Sequence, residues 1–308
     1  MNTTIFKKFY RSFYNRTGGF IPSKPLNQNM YPGDFFQIHN GEIILLGNIF
    51  RNNVIAKDEC KLQNSIALPE ALWNFSKGVT KPYSGREQGN NPIEGDFKFT
   101  KQVLSFDTKG SFIFNTKTPE AIKITNWDEI EKQLIIKLTQ TMYSFREVYV
   151  VTESAVASDW TLAIAGTDNA ELEIATTSEN FGLVDIFGDA ESKTIQARDI
   201  EYYHKETKKK PVFFKAKKLV VQQEKLERFV SEFSAQNSQK SDWVKSFYAY
   251  DFEADLEQFS GATSMNAQMS VLDMLQANQL NPNTALSYFK WENTNLDDVE
   301  KLFVMYEN

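Results

Sequence analysis

Two histidines, His39 and His204, and one cysteine, Cys60, are all that 308 residues offer to nucleophilic, zinc or redox chemistry. Such chemistry needs convergent partners. No G-x-S-x-G elbow, phosphate-binding G-x-x-x-x-G-K-[ST] loop, G-x-G-x-x-G turn, H-E-x-x-H or C-x-x-C pair accompanies them. No catalytic residue, metal site or cofactor is expected, and the chain reads as a non-enzyme. A hydrolase using carboxylates alone stays open, because Asp and Glu that converge in space are invisible in sequence. The run from Asp251 to Glu257 sets carboxylates at every second residue, pointing several ways on a helix. It lacks the glycine a calcium loop needs at its sixth position and reads as an acidic surface.

The chemistry on offer is electrostatic. Lys205, Lys208, Lys209, Lys210, Lys215, Lys217 and Lys218 make residues 205–218 the densest positive stretch of the chain. Lysines there can be solvated edge-strand residues that discourage aggregation. They can equally attract the phosphates of lipid headgroups, at about 1 kcal/mol per residue near an anionic surface. Nucleic acid is not expected as a partner, since the chain carries a net charge of −6 and no recognised RNA or DNA motif. A second basic group, Lys7, Lys8 and Arg11, lies mostly off the aromatic face of a helix carrying Ile5, Phe6, Phe9, Tyr10, Phe13 and Tyr14. Such a helix can rest on an anionic membrane or dock by its aromatic face on its own domain.

The elements that must position these cations change character near residue 220. Alternating, strand-like sequence dominates before it and helical acidic sequence follows. Residues 243–308 hold three Lys, no Arg and ten Asp or Glu, a net of −7, so the first 242 residues sum to +1. Asn40-Gly41 joins two strands, 35–39 and 42–46, as a two-residue hairpin. Residues 76–96, rich in Gly, Pro and Asn, read as a long surface loop. Phe97, Phe99, Val103 and Leu104 lead into Phe106; Phe112 and Phe114 alternate with Ser111, Ile113 and Asn115, and Lys109-Gly110 is expected as the hairpin turn between the two segments. Asn126, with Glu129 three residues on, predicts a capped helix carrying Trp127, Ile130, Leu134, Leu138 and Met142. Strands follow at 147–153, 160–165, 171–175, 192–203 and 212–221, then a helix at 222–233 and a polar linker at 234–241. Helices are expected at 243–259, 266–278, 282–291 and 295–306. The fold class is α+β: a mixed, mainly antiparallel β-sheet domain with packed helices over 1–235, then a small all-helical acidic domain over 243–308. No stretch is apolar for 18 residues, and the basic, aromatic start is no secretory signal. A cytoplasmic protein is expected.

Several phrases, in order, resemble the pore-forming domain of gasdermins, the bacterial ones most of all. They are Phe20-Ile21-Pro22-Ser23-Lys24-Pro25-Leu26, then Asn40-Gly41-Glu42-Ile43-Ile44-Leu45-Leu46-Gly47. Glu147-Val148-Tyr149-Val150-Val151-Thr152-Glu153 and Pro211-Val212-Phe213-Phe214-Lys215-Ala216 complete the set. The resemblance covers about residues 1–220. It implies an autoinhibited precursor that a protease cuts near 234–242, freeing a domain that oligomerises on acidic lipid at the inner face of a membrane. It implies a role in cell death or defence, and two hairpins, near 97–116 and 160–203, that unfold into a membrane-spanning barrel with Phe112 and Phe114 on an inserting strand. Lys7, Lys8, Arg11 and the seven lysines above would then bind lipid, and the acidic tail would mask them. Two departures stand out: the tail is longer than the short inhibitory peptide usual in bacterial gasdermins, and Cys60 is far from the start, where a lipid-modified cysteine is often found. The alternative function is a soluble, non-enzymatic interaction or sensor protein whose helical tail docks a partner.

Overall fold

The computed structural model describes residues 3–88, 98–139, 148–176, 185–189, 191–222 and 282–304. The chain is α+β, with three antiparallel sheets and few helices. The expected boundary at 235–243, the linker and the helices at 222–233, 243–259 and 266–278 lie outside the described residues.

The largest sheet runs β1 (Ile21–Pro22), β15 (Lys210–Val221), β10 (Tyr149–Ala157), β2 (Asp34–His39), β3 (Glu42–Asn48). β9 (Glu120–Ile124) also pairs with β10 and carries β4 (Leu62–Ala67), which leads into the short helix α2 (Glu70–Trp73). The sheet is covered on both faces, which explains why 148–151 is apolar without alternation. Val148 and Val150 pack with Phe35 and with Trp127, Ile130, Leu134 and Leu138 of helix α3 (Trp127–Thr139). Tyr149, Val151 and Phe36 pack on the other side, with Phe9, Tyr10 and Phe13 of helix α1 (Thr3–Arg16). Complete burial of each such phenylalanine contributes about 1.5–3 kcal/mol. The aromatic face of α1 therefore docks on its own sheets, as one of its two readings held.

Two four-stranded sheets form one ribbon. The order β14 (Ile200–Glu206), β11 (Asp159–Ala165), β8 (Phe112–Lys117), β5 (Phe75–Lys77) is matched strand for strand by β13 (Lys193–Arg198), β12 (Ala170–Thr176), β7 (Lys98–Phe106), β6 (Val79–Gln88). Each chain segment crosses from one sheet to the other at a crease. Positive φ angles mark it at Gly78 (66°), Gly110 (74°), Asn169 (56°) and Asp199 (59°). Backbone bonds knit the crease, among them Asp107 N–H to Gly78 O, Gly110 N–H to Ala165 O and Gly166 N–H to Asp199 O. The halves close on a core of their own: Ile113, Ala163 and Ala165 against Leu104, Phe106, Leu172 and Ile174, with Ile186 and Phe187.

The structure corrects several expectations. Residues 75–88 are strands, not loop; β6 is an edge strand, where Pro82 is tolerated at a register break between Thr80 and Tyr83. The rest of that stretch, 89–96, lies outside the described residues. The segments flanking Lys109-Gly110 do not pair as a hairpin, because β7 and β8 sit in different sheets across the crease. Asn126 makes no capping box: its Oδ1 accepts from Lys61 N–H and its Nδ2 donates to Glu129. Lastly, the helix expected over 282–291 stops at α4 (Pro282–Tyr288), and Phe289–Asn293 becomes strand β16 on the outer edge of β15. There, tertiary pairing overrides helical periodicity. The last helix, α5 (Leu296–Lys301), is shorter than the expected 295–306.

Candidate functional site

The chain end from 288 to 304 is fastened to the sheet at many points. β16 pairs with Lys217–Val221 of β15, and Thr294 N–H continues the ladder to Ala216 O at 3.1 Å. Trp291 stacks edge-on against Trp127, with ring centroids 5.4 Å apart, and its indole N–H donates to Glu131 O. Helix α5 begins at Asn295 with a complete capping box, Asn295 Oδ1 accepting from Asp298 N–H and Asp298 Oδ2 from Asn295 N–H. The cap fixes the Asp298 side chain pointing inward.

Asp298 is the centre of the site. Its side chain is 0% exposed, and Oδ1 accepts from Tyr149 OH at 3.0 Å and Lys218 Nζ at 3.1 Å. A carboxylate this buried is tolerable only with such partners. Two residues on, Glu300 is a third exposed and holds two cations of α1, Lys7 Nζ at 3.3 Å and Arg11 Nη1 at 3.0 Å. Lys24 donates to Leu302 O and lies over the Phe303 ring, and Tyr14 OH donates to Thr294 O at 2.8 Å. Burial lowers the Lys24 pKa, partly offset by Glu42.

The cations singled out in the sequence do not form one patch. Lys7, Arg11 and Lys218 face tail carboxylates. Lys8 reaches Thr108 Oγ1. Lys205 donates to Asp189 O and Ser192 O, bracing the loop before β13. Lys210 pairs with Glu206 at 2.5 Å, and Lys209 lies 3.8 Å from Glu120. Although burial acts the other way, hydrogen bonds from Lys210 and the Lys208 backbone hold the Glu206 carboxyl below its ordinary pKa. Lys215 sits 3.7 Å from Glu153 and over the Phe20 ring, and Lys217 lies over Trp127. Lys208 and Lys209 are the most exposed members.

Phe112 and Phe114 are 0% and 1% exposed and pack on Phe9 of α1. Ile113, on the opposite face of β8, is also buried, and that face reaches water only farther along, at Asn115 and Lys117. The alternation expected of an inserting strand is clearest in β12, where Leu172 and Ile174 are buried and Glu171 and Glu173 turn outward, Glu173 pairing with Lys101 at 2.8 Å. Sequence reading missed Asp298, Glu300 and Tyr149 as partners of the cations. The one available signal was Asn295 with Asp298 three residues on, a capping box that presents the second carboxylate of α5 to whatever covers it.

Among the described residues no group of three His, Cys, Asp or Glu side chains is placed to hold a metal ion. Burial pushes the Cys60 thiol up to about 11, an inert thiol. No described helix is long and apolar enough to cross a membrane, which does not bear on strands. What the site can do is electrostatic: the tail carboxylates occupy cations that would otherwise face another anion.

Among solved structures the chain is similar to a bacterial gasdermin from Bradyrhizobium tropiciagri, at 10% identity over 63% of this chain and 79% of that one, with a TM-score of 0.25. No family model matches the chain, and no curated protein matches it.

Proposed function

We propose that this chain is a membrane pore-former of gasdermin type, kept inactive by its own C-terminal residues and released by proteolysis near 234–242 to oligomerise on acidic lipid. The observation that carries the reading is the occupation of Lys218, Lys7 and Arg11 by Asp298 and Glu300. Removing the tail leaves three cations, one of them two-thirds of the way along the long strand β15, without their counter-charges. The creased ribbon supplies the second requirement. Opened at the crease, its four strands run 75–88, 98–117, 159–176 and 193–206, longer than the about 9–11 residues a tilted membrane strand needs. A barrel is the form in which such strands satisfy every backbone group in lipid. The gasdermin-like phrases at 20–26, 40–47, 147–153 and 211–216 agree with this reading.

The soluble docking alternative is favoured by one fact, the complete burial of Phe112 and Phe114 beneath α1. The full chain decides between them. A double variant, Asp298→Lys with Glu300→Lys, should leak dye from anionic vesicles while leaving zwitterionic vesicles sealed, and the unaltered chain should leave both sealed. The single variant at the partly solvated position, Glu300→Lys, should leak less. Folded variants that leave anionic vesicles sealed, together with a chain cut at 234–241 that also does, would sink the pore reading.

A further inference from the structure

β16 covers a sheet edge that has a natural second occupant. The outer edge of β15 is shared by β1, at Phe213 and Phe214, and β16, at Lys217–Val221, while β10 holds the inner edge. Hydrogen bonds show which groups face outward: Gln222 N–H donates to Tyr288 O and Ala216 O accepts from Thr294 N–H, whereas Leu219 N–H donates to Val148 O inside the sheet. The even-numbered residues 216–222 therefore direct their backbone polar groups at the tail. A freed edge of that kind recruits a strand.

The other end of the same sheet offers one. Among the described residues β3 pairs only with β2. It carries no Lys, Arg or Pro, the usual blunting residues of an edge, and Ile44 and Leu45 are each 42% exposed. The other outlying strand of the sheet, β4, is instead polar, with Gln63, Asn64 and Ser65. The tail reaches this end too: a Cβ on Gly41, in the β2–β3 turn, would lie 3.0 Å from Val304 O and 3.1 Å from Leu302 O.

Resting on the release proposed above, we infer that once β16 leaves, the outer edge of β15 pairs with β3 of a second copy, head to tail. Direction allows it. β15–β10, β10–β2 and β2–β3 are all antiparallel, so β3 runs opposite to β15 and a following copy in the same orientation continues the antiparallel order. Charge excludes the symmetric choice. β15 carries Lys210, Lys215, Lys217 and Lys218 and no acid, so two β15 edges would set lysine against lysine, while β3 carries only Glu42. A contact between two different edges repeats from copy to copy, as a ring where the rotation between copies closes and as a filament where it does not.

The test uses the full chain with Asp298→Lys and Glu300→Lys on anionic vesicles, in a Cys60→Ala background, with Val220→Cys and Ile44→Cys joined by a short bifunctional maleimide. A ladder beyond the dimer is expected only when both cysteines are present. A dimer from Val220→Cys alone would overturn head-to-tail pairing. Leakage and large assemblies without a ladder would overturn the inference and leave the pore reading standing. Sealed vesicles and no assembly would remove both. As a second measurement, Val220→Pro deletes an outward amide without touching a bond to β10. It should lower leakage at least tenfold with vesicle binding unchanged, while the melting temperature falls by the one bond lost to β16, and undiminished leakage would also overturn the inference.

Discussion

At the residue scale, the two tail carboxylates differ in the dielectric around them, and that decides what each is worth. Asp298 is fully buried between Tyr149 and Lys218, so Asp298→Ala strands a lysine that is itself largely covered. A loss of about 3 kcal/mol is expected in urea unfolding of the full chain. Glu300 and its two partners are partly solvated, so Glu300→Gln should cost under about 1 kcal/mol, and less at high salt. Equal losses in the two variants would contradict the assignment of Asp298 as the anchor. His204 provides a pH readout. Burial beside Trp160 lowers its pKa below 6.5, partly offset by Glu206. The unfolded chain thus binds a proton that the folded one resists. Stability is intact above about pH 6.5 and falls as pH drops from there towards the folded pKa. Melting temperature should decline across that window, and His204→Gln should flatten the decline. A wild-type curve without that slope would show that the burial does not matter.

At the element scale, the crease is the feature under most constraint. Gly78 has a φ of +66°, and a Cβ there would lie 2.4 Å from Ser111 Oγ. Gly78→Ala should therefore destabilise by about 1–3 kcal/mol. Because the strain has two sources, Ser111→Ala in the same chain should restore only the part due to the clash. A double-mutant cycle in thermal melts measures the coupling, and simple additivity would place the clash elsewhere. β8 is the contrasting case. Phe112 and Phe114 are both core side chains, so Phe112→Asp with Phe114→Asp should unfold the chain before any question of insertion arises, and a soluble, normally melting double variant would refute the core position of this pair.

At the scale of the whole molecule, most of the cations singled out in the sequence are already engaged, and attraction to a membrane has to come from what is exposed or released. Replacing Lys208 and Lys209 by Gln removes the two most exposed members of the cluster at little structural risk. In the tail-reversed chain this should weaken binding to anionic vesicles several-fold at low salt and hardly at all at high salt, where the Debye length shrinks to about 3 Å at 1 M. Binding that ignores both salt and lysines would point to apolar capture. Replacing Lys215 or Lys217 instead would confuse the result, since their stems lie over Phe20 and Trp127.

The sequence by itself determined what depends on neighbours along the chain. Asn40 and Gly41, at φ 50° and 75°, make the hairpin that the dipeptide announces. The aromatic spacing of α1, the 3.6-residue repeat of α3 and the β-rich runs at 147–153 and 212–221 are local signals, and so is the mixed α+β class. Tertiary structure alone decided where the charges meet and where the strands bend. Asp298 and Lys218 are 80 residues apart, and no periodicity can say that a helix beginning at Leu296 will face a strand ending at Val221. The same holds for Phe289–Asn293, helical by pattern yet a strand because β15 leaves an edge for it. Gly78, Gly110 and Asp199 look like ordinary turn residues one at a time. Only side-by-side pairing of four distant segments aligns them into a single crease, because a sheet must bend all its strands together or break their hydrogen bonds.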